Sequence, residues 1–269
     1  MNSLRTALVF AFLFNCCLSC SFLSSENSCL MSDEGQLVIT SDTNANSLNT
    51  FSVQPSSVAV KLKGVAFGTS LTFRAKTTGG YLTKLAELSG ITFDNQGIGS
   101  STILGDGDSL DILSSIKKYS SYHEKKVILL EGFVNDWYQG KQLGYYTDKT
   151  EDTVCGCVYT AINYIHAHND GATLFVILDH FGRRYKAGEQ YVDCGSAALN
   201  RNNQTQYQYY EQISKVAEYF GGVVVIKGYD AFNINEDTPQ FYLDNIHLNQ
   251  EGADKSAEAI YSIMKDYLL

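Results

Sequence analysis

The feature that most constrains this chain is an alternation. From residue 62 onward, five short apolar runs (62–67, 91–93, 126–130, 173–178 and 222–226) take turns with longer segments of helical pattern (81–88, 109–119, 153–167, 205–220 and 250–268). The runs are rich in Val, Ile and Leu and show little polar alternation, which is the pattern of strands covered on both faces. The last helical segment puts Ala253, Ala257, Ile260, Tyr261, Met264 and Leu268 on one face at a 3.6-residue period, with Asn249 placed to cap its start. Strands that alternate with helices pair in parallel through right-handed crossovers. The expected fold is therefore α/β: a three-layer α/β/α sandwich around a five-stranded parallel sheet.

The segment before residue 58 does not share this pattern. Arg5 precedes an apolar run at 7–14 that is too short to span a bilayer, so residues 1–19 read as a secretory signal peptide. Cys17-Leu18-Ser19-Cys20 resembles a lipobox with Cys17 where Leu is usual. Two outcomes are open: a lipoprotein anchored to a membrane through Cys20, or a freely secreted protein. Residues 20–57, rich in Ser, Asn, Thr and Asp, read as a tether with short strands at 37–40 and 51–53, and 58–269 as the folded domain. Export to an oxidising compartment would let Cys155 and Cys157 each pair with Cys29 or Cys194. Zinc is the alternative, although no histidine lies at ligand spacing from Cys155 and Cys157. The net charge of −9 argues against a nucleic-acid partner.

The loops that leave the strands carry the chemistry, because an open α/β sheet binds its ligands beyond the carboxyl ends of its strands. Gly68-Thr69-Ser70 comes after the first strand, Asn95 to Thr102 after the second, Glu131 to Trp137 after the third and Asp179 to Arg184 after the fourth. Asp244-Asn245-Ile246-His247 precedes the last helix. A serine hydroxyl needs a base, a group to orient that base, and donors for an oxyanion. Ser70 is the candidate nucleophile, His247 the base and Asp244 its partner. The Ser70 amide, an amide from Gly99 or Ser100, and the Asn135 side chain are candidate oxyanion donors. Trp137, His180 and Arg183 lie on the same expected edge and are candidates for substrate contact.

These four blocks, in this order from residue 62 to the C-terminus, resemble the SGNH hydrolases, or GDSL esterase/lipase family. Thr69 stands where that family usually has Asp, and Ser100 where it has the oxyanion glycine. The Gly132–Asp136 block carries one extra residue. The resemblance implies a flavodoxin-like fold and a serine esterase that hydrolyses carboxylic esters through an acyl-enzyme with no metal or organic cofactor. Its substrates would be esters of carbohydrate, lipid or peptidoglycan. An acyltransferase using the same residues and a non-catalytic binding module are the rival readings. Gly107-Asp108-Ser109-Leu110 spells the family's name literally. No strand precedes it, so Asp108 or Ser109 is expected to cap the next helix rather than to act as nucleophile.

Overall fold

The computed structural model describes residues 61–74, 80–106, 111–182, 197–244 and 246–268, together with the backbone of four short strands at 27–31, 37–41, 185–187 and 190–192. The chain divides into two units, Met1–Ala59 and Val60–Leu269. In the first unit, β1 (Asn27–Met31) and β2 (Leu37–Ser41) pair antiparallel. The signal segment, Cys20 and the strand expected at 51–53 lie outside the described residues.

The second unit holds the sheet. Its strands are β3 (Lys63–Phe67), β4 (Thr92–Asn95), β5 (Val127–Gly132), β6 (Thr173–Leu178) and β9 (Val224–Lys227), in the order β4-β3-β5-β6-β9 and all parallel. Between β6 and β9, β7 (Tyr185–Ala187) and β8 (Gln190–Val192) form a small antiparallel hairpin. No apolar run marks that hairpin, so the alternation alone does not reveal it.

Neighbouring strand residues point to opposite faces, and the core divides accordingly. Val65, Phe67, Ile128, Leu130, Leu174 and Val176 face α3 (Ile112–Lys118), α5 (Val154–His168) and α6 (Gln206–Phe220). Ala66, Leu129, Phe175 and Ile177 face α2 (Tyr81–Ser89) and α8 (Gln250–Met264). Right-handed crossovers require this arrangement. The chain steps one way from β3 to β4 and the other way through β5, β6 and β9, so the intervening helices fall on opposite faces. The reversal opens a crevice at the carboxyl ends of β3 and β5.

Local capping explains several helix starts. Thr205 and Gln208 form a capping box at α6, Thr153 accepts from the Gly156 amide at α5, and Asn249 accepts from Gly252 at α8 as the sequence implies. The cap of α3 departs from expectation. Asp111, not Asp108 or Ser109, accepts the Ser114 amide. Residues 107–110 lie outside the described set. A second correction concerns the cysteines. Cys155 and Cys157 are buried free thiols in the first turn of α5, packed in the core, and neither is in a disulfide. Among the described residues, no helix is long and apolar enough to cross a membrane, and no group of three His, Cys, Asp or Glu could hold a metal ion.

Candidate active site

β3 ends at Phe67, and the chain turns through Gly68 and Thr69 into the single helical turn α1 (Ser70–Phe73). Ser70 is the first residue of that turn. Its main-chain N–H therefore has no partner within the turn and points outward. Ser70 Oγ lies 3.0 Å from His247 Nε2 across 177 residues of sequence, and His247 Nδ1 lies 2.7 Å from Asp244 Oδ2.

The loop that carries Asp244 and His247 is built by its own acid. Asp244 Oδ1 accepts the amides of Ile246 and His247 at 2.8 and 2.7 Å, leaving Oδ2 for the imidazole. An Asp that bonds backbone two and three residues on is a turn former, so one carboxylate both folds the loop and orients the ring. Burial acts to raise the Asp244 pKa. The two amides and the imidazole outweigh it and hold the carboxyl below the ordinary range. An ionised Asp244 accepts Nδ1–H, which leaves the Nε2 lone pair facing Ser70.

The turn after β4 is drawn against the Ser70 turn. Ile98 N–H donates to the Gly68 carbonyl at 2.9 Å, and a side chain at Gly97 would collide with the backbone of Thr72 and Phe73. Ser100 has φ +60°, the left-handed region where glycine is the easier occupant. Asn135 sits on α4 (Val134–Tyr138), a short helix entered through Phe133 at φ +81°. Its Nδ2 donates to the Ser101 carbonyl at 2.8 Å, which ties the amide to the glycine turn and leaves the second N–H free to point elsewhere. Next to it, buried Asp136 accepts the Ile103 and Leu104 amides, each at 3.0 Å. Burial lifts the Asp136 pKa to about 7, against those amides and Lys141. Among the described residues, the amides of Ser70, Gly99 and Ser100 have no acceptor. Asn135→Ala is expected to lower kcat by about 10²–10³ with little change in KM, the usual cost of one oxyanion donor. Steady-state kinetics on an activated acetyl ester measures it.

The candidates for substrate contact fare differently. Trp137 is 2% exposed and its Nε1–H donates to the Gln204 carbonyl, so it packs beneath the loop and offers no face to a ligand. His180 is 3% exposed, with Nε2 on the Ile246 carbonyl at 3.0 Å. Burial pushes its pKa down to about 4, which keeps it neutral. Its place is under the His247 loop, not on the surface. Arg183 lies outside the described residues. Sequence reasoning misses the roles of Glu131 and Asp179, which are buried behind Ser70. A lone acid at the end of the apolar run Val127–Leu130 is the one signal that could mark Glu131.

A GDSL-like lipase/acylhydrolase family model matches residues 65–260. No curated protein matches the chain. Among solved structures, a protein from Lactobacillus plantarum is 20% identical over 77% of this chain and 98% of its own, with a TM-score of 0.66. A possible lipase from Chitinophaga pinensis is 21% identical over 77% and 98%, with a TM-score of 0.61. A salicylyl-acyltransferase from a tetracycline biosynthetic pathway is 14% identical over 87% of this chain and 58% of its own, with a TM-score of 0.56. At these identities the structures show the shared fold alone. The family match spans the sheet, the Ser70 turn and the Asp244–His247 loop, and by it this chain belongs to the GDSL-like lipase/acylhydrolase family, the carboxylic ester hydrolases of SGNH type.

Proposed function

We propose that the chain is a serine esterase that removes short acyl groups, acetyl foremost, from carbohydrate, through an acyl-enzyme on Ser70. The observation that carries this reading is the hydrogen-bonded run from Ser70 Oγ to His247 to Asp244, at 3.0 and 2.7 Å. Ser70 Oγ attacks the ester carbonyl carbon while His247 Nε2 takes its proton. The amides of Ser70 and of Gly99 or Ser100, with the Asn135 side chain, stabilise the tetrahedral oxyanion. Collapse breaks the bond to the alkoxy oxygen, which leaves with the proton from His247. Water, deprotonated by the same imidazole, then attacks the acyl carbon, and Ser70 is released with its proton restored.

The site's openness supports a bulky acceptor. The His247 and Asp244 side chains are 28% and 51% exposed, and Ser70 is only half-buried, so a chain of sugars can present an ester without entering a tunnel. Export, with or without lipid at Cys20, belongs to the same reading and rests on residues 1–20. The test is an ester panel on purified protein, with acetylated xylan, peptidoglycan fragments and nitrophenyl esters of rising chain length. Release of free acetate from xylan, and rates that fall with chain length, are expected. Transfer of acetate to an added sugar in preference to water would make the protein an acyltransferase. Fluorophosphonate labelling anywhere but Ser70 would overturn the mechanism.

A further inference from the structure

We propose that Glu131 and Asp179 form a buried carboxyl pair sharing one proton, which positions the Ser70 turn and sets the alkaline limit of turnover. The proposal rests on Ser70 being the nucleophile and goes on to what holds it in place.

Glu131 lies on β5 with no exposure to solvent. Its Oε2 accepts the amides of Thr69 and Thr72 at 3.0 and 3.2 Å and the Thr72 hydroxyl at 2.6 Å. Its Oε1 accepts the Thr69 hydroxyl at 2.7 Å. Thr69 and Thr72 flank Ser70 on either side, so one side chain clamps the turn from beneath. A side chain on Gly68 would collide with Glu131 Oε2 and Thr72 Oγ1, so glycine is what lets the carboxylate come so close. Thr72 spends its proton on Glu131, and the Tyr81 hydroxyl, 2.9 Å from Thr72 Oγ1, donates to it in turn. Four donors converge on Glu131. A carboxylate can take all four, whereas an acid or amide would set a hydrogen against one of them.

Asp179 comes directly after β6, the strand next to β5, and is buried within hydrogen-bonding reach of Glu131. Among the described residues, no donor reaches Asp179 Oδ2. Two adjoining buried carboxyls do not both ionise. With Glu131 committed as acceptor, the proton belongs to Asp179, which donates it to Glu131. Among the described residues, the groups that face Asp179 include Glu131 from β5, Tyr81 from α2, Tyr210 from α6, Arg74 at the end of the Ser70 turn and neutral His180 beside it. Burial, and then the Glu131 charge, hold the Asp179 pKa well above the usual range. With Thr69 an uncharged residue, the charge under the turn comes from the neighbouring strand.

Loss of the Asp179 proton at high pH would set two anions against each other beneath Ser70 and displace the turn. A misplacement near 1 Å costs about 10²-fold in rate. Asp179→Asn replaces O–H with a permanent N–H donor of nearly the same shape. The experiment is the pH dependence, from 6 to 11, of the rate at which a fluorophosphonate labels Ser70 in the wild type, Asp179→Asn and Glu131→Gln. Wild type is expected to lose rate on the alkaline side. Asp179→Asn should match it within about three-fold at pH 7 and keep its rate at high pH. Glu131→Gln should label about 10²-fold more slowly at every pH. Equal alkaline losses in the wild type and Asp179→Asn would overturn the pair while leaving Ser70 as nucleophile. Absence of labelling at Ser70 in the wild type would instead remove the nucleophile assignment.

Discussion

Ser70→Ala should reduce kcat on an activated acetyl ester by about 10⁵-fold or more, with KM close to that of the wild type. The size reflects the atom removed. Without Oγ there is nothing to form the acyl-enzyme, and His247 has no hydroxyl to deprotonate. The candidate oxyanion donors are main-chain amides and Asn135, and alanine leaves them in place, so a residual acceleration over solution of about 10³-fold should survive. Ser70 makes one side-chain bond, to His247, and is half-buried, so its loss should hardly move the thermal midpoint. Ser109→Ala, in the segment that spells the family's name, should stay within about two-fold of wild type, as substitutions away from such features usually do. Measuring both variants beside the wild type decides between the two serines. A Ser70→Ala enzyme retaining a tenth of the activity would show that the hydroxyl is not the nucleophile.

The sequence makes Ser70, Asp244 and His247 legible because each stands at the end of a strongly patterned element. Val65 to Phe67 and Thr173 to Leu178 are covered on both faces, so their apolar runs are unbroken, and the polar residue that ends each run marks the functional edge. The Asp-x-x-His spacing likewise has a local cause, since Asp244 folds its own turn. Trp137 is not legible in the same way. Whether an indole lines a pocket or lies beneath a loop depends on the Gln204 carbonyl, 67 residues away, which takes its N–H. His180 reads as surface because its neighbours Asp179 and Arg183 are polar, whereas the ring turns inward to support Ile246. Glu131 is hidden for the opposite reason. It sits at the boundary of strand and loop, where an acid looks solvent-facing, and only the approach of Thr69 and Thr72 shows why it is inside. The expectation of export makes Cys155 and Cys157 look like disulfide partners, while their burial in α5 comes from the helix face they share with Val154 and Val158. In each case the local pattern specifies the backbone element, and the partner that fixes the side chain comes from a distant strand or loop.

Asp244→Asn is expected to lower kcat/KM by about 10³–10⁴-fold while the protein stays folded. Asparagine keeps one carbonyl oxygen, and that oxygen can go on accepting the Ile246 and His247 amides that shape the loop. The amide nitrogen then takes the place of Oδ2, 2.7 Å from His247 Nδ1. An NH2 there cannot accept Nδ1–H, so the ring shifts its proton to Nε2 and presents a hydrogen to Ser70 Oγ where a lone pair is required. The variant loses its base without losing its geometry. Because Asp244 is half-exposed, the thermal midpoint should move little. The pH profile supplies an independent check. Hydrogen bonding holds the Asp244 carboxyl below its ordinary range, so it stays ionised across the pH region in which an imidazole gains a proton. The acid-side fall in wild-type activity therefore does not come from Asp244. Activity should rise as pH increases through that region, since only the neutral ring can accept the Ser70 proton. A wild-type rate constant across that range, or an Asp244→Asn enzyme within ten-fold of wild type, would show that the imidazole is not the base, whatever its distance from Ser70.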